Sequence, residues 1–220
     1  MELTELMQKK IDSGREYRSL LLEVREEEDT ADKIVEGYAT TFNEPYYLYS
    51  FEDENGRHVV REQVDPEAFT ESDMSDVIMQ YDHEGRVFAR LSNGTMTLET
   101  DDHGLKVRAD LGGTEIGRNL YEEIKGGYTN KMSFGFTVAD DDIKADGRDY
   151  LRTIRKIGKL YDVSAVSYPQ NNFTEITARK HCDGVIAEIE AERLRVAEEE
   201  RRLQEQKEKL LGRIRNLKGE

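Results

Sequence analysis

The chain of 220 residues carries a net charge of −15, and both its hydrophobic and its charged fractions are 36%. This acidic excess argues against direct nucleic-acid binding, which relies on basic patches facing phosphates. No apolar run approaches the roughly 20 residues of a membrane helix, so we expect no membrane partner. One cysteine, Cys182, excludes an intramolecular disulfide. Because the chain has a single cysteine and its four histidines are scattered, we expect no bound metal, and we also expect no cofactor.

The first half of the chain is mostly strand-like. YRSLLLEVRE, from Tyr17, and DKIVEGYATTFN, from residue 32, alternate apolar and polar residues as half-buried strands do. DPEAFTE predicts a short helix, with Asp65 as its N-cap and Pro66 in its first turn. TMTLETDDHGLKVRADL predicts a β-hairpin that turns at residues 101–104.

The following segment predicts one helix and two more strands. TEIGRNLYEEIKGG places Ile116, Leu120 and Ile124 on one helical face and ends in two glycines, a helix stop signal. KMSFGFTVADD and TIRKIGKLYDVSAVSYP have the composition of strands. We therefore expect a mostly β protein with helices (α+β), built as a small β-barrel decorated with helices. An open α+β sandwich is the alternative.

Residues 183–220 predict one long charged helix, because they contain no proline and are rich in Glu, Arg, Leu and Gln. Apolar residues recur every seven positions along it: Ile189, Val196, Leu203, Leu210 and Leu217. The companion row is polar in the middle, so a two-row coiled-coil seam is incomplete. A solvated helix and a self-association or partner-binding helix both remain open.

Three residues form a candidate catalytic set. His83 follows a strand-like run and precedes Gly85, Ser133 lies among glycines, and Asp162 interrupts an apolar strand. Each has a structural alternative: a surface-turn histidine, an incidental strand serine, and an edge-strand acid facing water. Together they offer a nucleophile, its general base and an acid to fix the base's tautomer. The acidic run from residue 139 to 147 lacks the spacing of a calcium loop, so a metal site there is not expected.

Five segments, in order, resemble the prohead (capsid maturation) proteases of tailed bacteriophages. They are VEGYATTFNEP, QYDHEGRVFAR with the histidine motif, GTMTLETDDHGLKVRADL, NKMSFGFTV with the serine motif, and LYDVSAVSYPQNNFTEITAR, where an acid precedes Val-Ser. The resemblance covers roughly residues 17–179. It implies a fold related to the herpesvirus assemblins, a β-barrel ringed by helices.

The same resemblance implies a serine endopeptidase that cleaves scaffold, capsid protein and itself inside the immature capsid. By the same resemblance, Ser133 is expected to be the nucleophile, His83 the general base and Asp162 the acid. Many members have glutamate at the acid position, so aspartate requires a closer strand or a bridging water. Asp82, beside the histidine, is the competing acid. For the oxyanion hole, backbone amides near Ser133, or Arg152 or Arg155, are open candidates.

The expected organisation is an N-terminal helical or flexible segment (1–16), a protease domain (17–182) and a charged C-terminal helix (183–220). The expected partners are the major capsid protein and scaffold segments as substrates, with the helix as a candidate element for homo-oligomer formation. The expected location is the procapsid in the host cytoplasm. Two alternatives are a non-catalytic capsid assembly protein acting through the helix, and an unrelated β-barrel binding domain with an incidental serine.

Overall fold

The computed structural model describes residues 13–21, 33–54, 56–167 and 171–218. Within these ranges the chain forms ten strands and two helices. In chain order they are β1 (Arg15–Leu21), β2 (Ile34–Thr41), β3 (Tyr46–Asp53), β4 (Gly56–Val64), β5 (Ile78–Tyr81), β6 (Glu84–Arg90), β7 (Met96–Thr100), β8 (Gly104–Asp110), α1 (Glu115–Lys125), β9 (Lys131–Asp146), β10 (Asp149–Val166) and α2 (Asn171–Lys218).

The described strands form two sheets. The larger sheet has the strand order β1-β9-β10-β4-β3. In addition, β5 pairs with the C-terminal part of β10, and β6 pairs with β5. The smaller sheet runs β2-β8-β7. Strands β9 and β10 form one long hairpin whose register shifts several times between Ile154 and Asp162. Such bulges bend a hairpin, and here one half of β10 pairs with β4 and the other half with β5.

Apolar side chains of both sheets meet in one core. Val35, Ala39 and Val107 of the smaller sheet belong to the same buried cluster as Phe134 and Val163 of the larger sheet. This confirms the α+β class. The pairings of the described strands do not close into the expected barrel, because the path through the larger sheet ends at β1 and β3.

The predicted hairpin and middle helix are confirmed. Strands β7 and β8 pair antiparallel, and the carboxylate of Asp101 accepts hydrogen bonds from the backbone N–H groups of His103 and Gly104 in the turn. Helix α1 begins after Thr114, whose hydroxyl accepts a hydrogen bond from the Gly117 N–H at 3.0 Å. It ends at Gly126, as the sequence predicts.

One predicted helix and one predicted helix boundary were wrong. The segment that begins at Asp65 forms successive turns, in which Ala68 N–H bonds to the Asp65 carbonyl and Thr70 N–H to that of Glu67. Bonds between residues three apart do not build an α-helix. The C-terminal helix begins at Asn171, well before residue 183, and nothing in its sequence breaks the helix between these positions. Residues 168–170, within the last family-like motif, lie outside the described ranges.

The chain divides into two compact units, residues 1–179 and 180–220. Strand β1 begins at Arg15, inside the segment predicted to be helical or flexible, and residues 1–12 of that segment lie outside the described ranges. Among the described residues, neither helix has the length and apolar character needed to span a bilayer.

Candidate active site

Strand β9 places Ser133 by simple alternation. Met132, Phe134 and Phe136 are fully buried in the core, so the intervening Ser133 and Gly135 lie on the opposite face of the sheet. The FGF run therefore supplies two stacked core rings, with centroids 4.5 Å apart, on either side of a glycine. The core packing of these rings fixes the backbone that carries the serine.

Strand β10 presents Asp162 next to this face. In the antiparallel pairing, Asp162 lies opposite Gly135 and Ser164 lies opposite Ser133. Residues two apart on a strand share a face, and the Ser164 hydroxyl donates a 2.8 Å hydrogen bond to Asp162 Oδ1. Asp162 is 4% exposed, so it is a buried, hydrogen-bonded acid and not an edge-strand acid facing water.

His83 reaches the face from a tight hairpin turn. Strands β5 and β6 pair through Tyr81 and Glu84, so Asp82 and His83 alone form the loop. Their φ angles are +49° and +60°, the left-handed pair of a type I′ turn, which usually contains glycine or asparagine. Each such non-glycine residue costs about 1–2 kcal/mol. That cost is typical of a residue held in place for a chemical task.

The three predicted site residues meet in one hydrogen-bonded chain. His83 Nδ1 lies 2.5 Å from Asp162 Oδ1, and His83 Nε2 lies 2.7 Å from Ser133 Oγ. A carboxylate only accepts hydrogen bonds, so Nδ1 carries the hydrogen and the Ser133 hydroxyl donates to Nε2 of the neutral ring. The incidental-serine hypothesis requires Ser133 and His83 to lie apart, whereas they are in contact.

Asp82, the competing acid, has other partners. Its two carboxylate oxygens accept hydrogen bonds from the backbone N–H and the hydroxyl of Ser167, at 2.9 and 2.8 Å. From this turn the Asp82 carboxylate reaches Ser167, whereas the acid in contact with the His83 ring is Asp162. Asp162 contacts His83 directly, so the shorter acid meets the histidine by close approach and without a bridging water.

Gly135 makes room for that approach. A Cβ atom at this position would lie 2.6 Å from Asp162 Oδ2 and 2.7 Å from Tyr17 Cε1. Both distances are shorter than any normal contact of a methyl group. The Asp162 carboxylate and the Tyr17 ring fill the space that the absent Cβ leaves.

Arg152, one of the oxyanion candidates, belongs to a buried ion network. Its guanidinium bonds to the carboxylates of Glu16 and Glu62 at 2.7 and 2.8 Å and to Asp141 at 2.5 Å. Arg18 bonds to the same two glutamates. Burial alone would raise the pKa of Glu16, but the two arginines outweigh burial and hold it below its ordinary value of 4.5. Arg152 therefore neutralises carboxylates in the interior.

The acidic run from residue 139 to 147 is also paired with cations. Asp140 lies 3.4 Å from Arg155, Asp142 lies 2.9 Å from Lys144, and Asp141 bonds to Arg152. Among the described residues, no group of three or more His, Cys, Asp or Glu side chains is arranged to hold a metal ion.

Sequence reasoning missed two residues that contact the candidate set. Ser164 bonds to Asp162, and the period-two alternation of a strand could have indicated it. Tyr17 packs its ring against His83 with centroids 4.4 Å apart. No local pattern links residues so far apart in sequence, so only the pairing of β1 with β9 reveals this contact.

The hydroxyl, imidazole and carboxylate are ordered as in enzymes that attack carbonyl groups with an activated serine. A scan of protein-family models matches residues 21–187 to the caudovirus prohead serine proteases. The chain therefore belongs to this family of capsid maturation proteases, as the sequence motifs predict. No match was found among curated proteins or among solved structures.

Proposed function

We propose that the chain is a serine endopeptidase that cleaves scaffold and capsid protein, and itself, in the phage procapsid. In this proposal Ser133 is the nucleophile, His83 the general base and Asp162 the acid. The observation that carries it is the continuous hydrogen-bonded chain Asp162–His83–Ser133 in a member of a serine protease family.

The geometry supports the usual sequence of proton transfers. Ser133 Oγ attacks the scissile carbonyl carbon while its proton passes to His83 Nε2, 2.7 Å away. Asp162 holds the Nδ1–H and stabilises the imidazolium that forms. Nε2 then protonates the leaving amine, and a water, deprotonated by the same nitrogen, hydrolyses the acyl-enzyme. Ser133 is 1% exposed, so its backbone and most of its side chain are enclosed by the surrounding strands.

The family supports a proposal for the substrates and the location. A prohead protease acts on capsid components, so we propose the major capsid protein and scaffold segments as substrates and the procapsid, in the host cytoplasm, as the place of action. The first 182 residues carry −14 of the total charge of −15, which disfavours direct contact with packaged DNA.

The test is co-expression of the chain with the capsid and scaffold proteins of the same phage, followed by mass spectrometry of the products. We expect Ser133→Ala and His83→Ala to abolish cleavage equally, because such residues act as a unit. Ser92→Ala, at an exposed serine between β6 and β7, is the matched control and should cleave normally. Cleavage by a folded Ser133→Ala chain would refute the proposal.

One observation supports a second role in assembly. Val196, Leu203 and Leu210, seven residues apart on α2, are 47%, 58% and 60% exposed. The side chain of Leu217, the last position of this row, lies outside the described set. We propose that this row associates with scaffold helices or with a second copy of the chain. Deletion of residues 183–220 should then reduce incorporation into procapsids and leave cleavage of a short peptide intact.

A further inference from the structure

Strand β1 borders the candidate active site, although it lies almost entirely before residues 21–187, which match the family. It pairs antiparallel with β9 along its whole length, from Arg15 opposite Thr137 to Leu21 opposite Lys131. In this register Tyr17 lies opposite Gly135 and Ser19 lies opposite Ser133. Alternation therefore places the Tyr17 ring on the face that carries Ser133, His83 and Asp162.

The Tyr17 ring occupies the space that Gly135 leaves open and reaches His83. Its Cε1 would lie 2.7 Å from a Cβ at position 135. The ring meets the imidazole edge-on, with centroids 4.4 Å apart and planes inclined at 60°. This is a favourable geometry for an aromatic pair.

The imidazole needs such a support. Its two nitrogens bond to Asp162 and Ser133, and the N–H bond and lone pair of an imidazole point along the plane of its ring. Hydrogen bonds in the plane leave rotation about their common direction weakly restrained. The backbone of His83 is in a left-handed turn, and the contacts described for its ring come from other strands, β9, β10 and β1. A ring packed against the imidazole restrains the remaining motion.

The opposite face of β1 is firmly anchored. Glu16 and Arg18, on either side of Tyr17, point into the buried network with Glu62 and Arg152. Arg18 Nη2 bonds to Glu16 at 2.5 Å and to Glu62 at 2.7 Å. These bonds hold the backbone of β1 at Tyr17, and the ring itself packs against His83 and beside Gly135.

We propose that Tyr17 is a positioning residue that holds the His83 imidazole in line between Asp162 and Ser133. The inference rests on the proposed protease function, and it adds β1 to the active site. The aromatic ring performs this task and the phenol hydroxyl does not. Burial, and then the negative charge of Asp162, raise the pKa of Tyr17, so the side chain stays neutral at the pH of the reaction.

The test compares kcat and KM for a peptide substrate in Tyr17→Phe and Tyr17→Leu. Loss of one aromatic pair changes rates by about 2- to 12-fold. We expect Tyr17→Leu to lower kcat by this factor with little change in KM. Tyr17→Phe, which keeps the ring, should retain the wild-type kcat. The matched control is Tyr38→Leu on β2 of the smaller sheet. It removes a similar edge-on pair, in which the ring centroids of Tyr38 and His103 are 4.5 Å apart, and it should not change kcat.

A wild-type kcat in Tyr17→Leu, or an equal loss in Tyr17→Phe, overturns the inference. Should Tyr17→Leu not fold, Tyr17→Ile takes its place. Failure of both to fold, with Tyr38→Leu folded, makes Tyr17 a structural residue and also overturns it. The proposed function is tested separately, since cleavage by a folded Ser133→Ala chain counts against it whatever the Tyr17 variants do.

Discussion

The contact between Gly135 and Asp162 gives a sharp quantitative prediction for Gly135→Ala. The added methyl would lie 2.6 Å from Asp162 Oδ2, whereas carbon and oxygen approach to about 3.3 Å. The carboxylate must therefore retreat by about 0.7 Å. A shift of this size away from His83 lengthens the hydrogen bond between Asp162 Oδ1 and His83 Nδ1 from 2.5 Å to about 3.2 Å. This is the upper limit of an N–H···O bond.

A displacement of this size in a catalytic group lowers rates by about 100-fold. Overpacking also lowers the free energy of unfolding by about 1–3 kcal/mol. We therefore expect Gly135→Ala to lose about 100-fold in kcat while remaining folded. The assay is peptide cleavage at saturating substrate, with urea unfolding of the same preparation.

Gly158→Ala on β10 is the matched control. A Cβ there would meet Thr137 Oγ1 at 3.4 Å and Ala139 Cβ at 3.5 Å, which are ordinary contacts. We expect it to keep both activity and stability. If Gly135→Ala is as active as Gly158→Ala, then the close approach of Asp162 does not matter for catalysis and the reasoning is wrong.

Two further predictions concern the acids. Asp162→Asn should lower kcat by about 10⁴-fold, as loss of the acid does in serine proteases, because asparagine no longer fixes the tautomer of His83. Asp82→Asn, measured in parallel, should lower kcat by less than about tenfold, since the Asp82 partner among the described residues is Ser167. A larger loss in Asp82→Asn than in Asp162→Asn would make Asp82 the third member of the triad. Glu62→Gln should cost about 3–5 kcal/mol in urea unfolding, because it removes one of the buried carboxylates that compensate Arg18 and Arg152. Glu71→Gln, at an exposed glutamate, should unfold like the wild type. If Glu62→Gln and Glu71→Gln have the same free energy of unfolding, the buried ion network does not contribute to stability.

The sequence predicts the parts of the fold that depend on local signals. Helix α1 has a capping threonine and a stop glycine, and the β7–β8 hairpin has a turn rich in aspartate and glycine. The motifs also indicate Ser133 and His83, because a reactive serine and its base each occupy a short family-like stretch. These features require only nearby residues, so they can be predicted without tertiary information.

The remaining features depend on residues far apart in sequence. Glu16 and Arg152 are 136 positions apart, and their ion pair forms only after β1 joins the sheet. Asp82 and His83 form a left-handed turn without glycine, which local propensity disfavours and tertiary contacts impose. The role of Gly135 also depends on which side chains of β1 and β10 lie opposite it.

The most direct test of the central claim is covalent labelling of the intact chain with a serine-directed phosphonate, followed by peptide mass spectrometry. We expect one modified residue, Ser133, and loss of the label in His83→Ala, because only the His83-activated hydroxyl is nucleophilic enough to react. Labelling at another serine, or equal labelling of Ser133 in His83→Ala, would contradict the assignment of Ser133 and His83 as nucleophile and base.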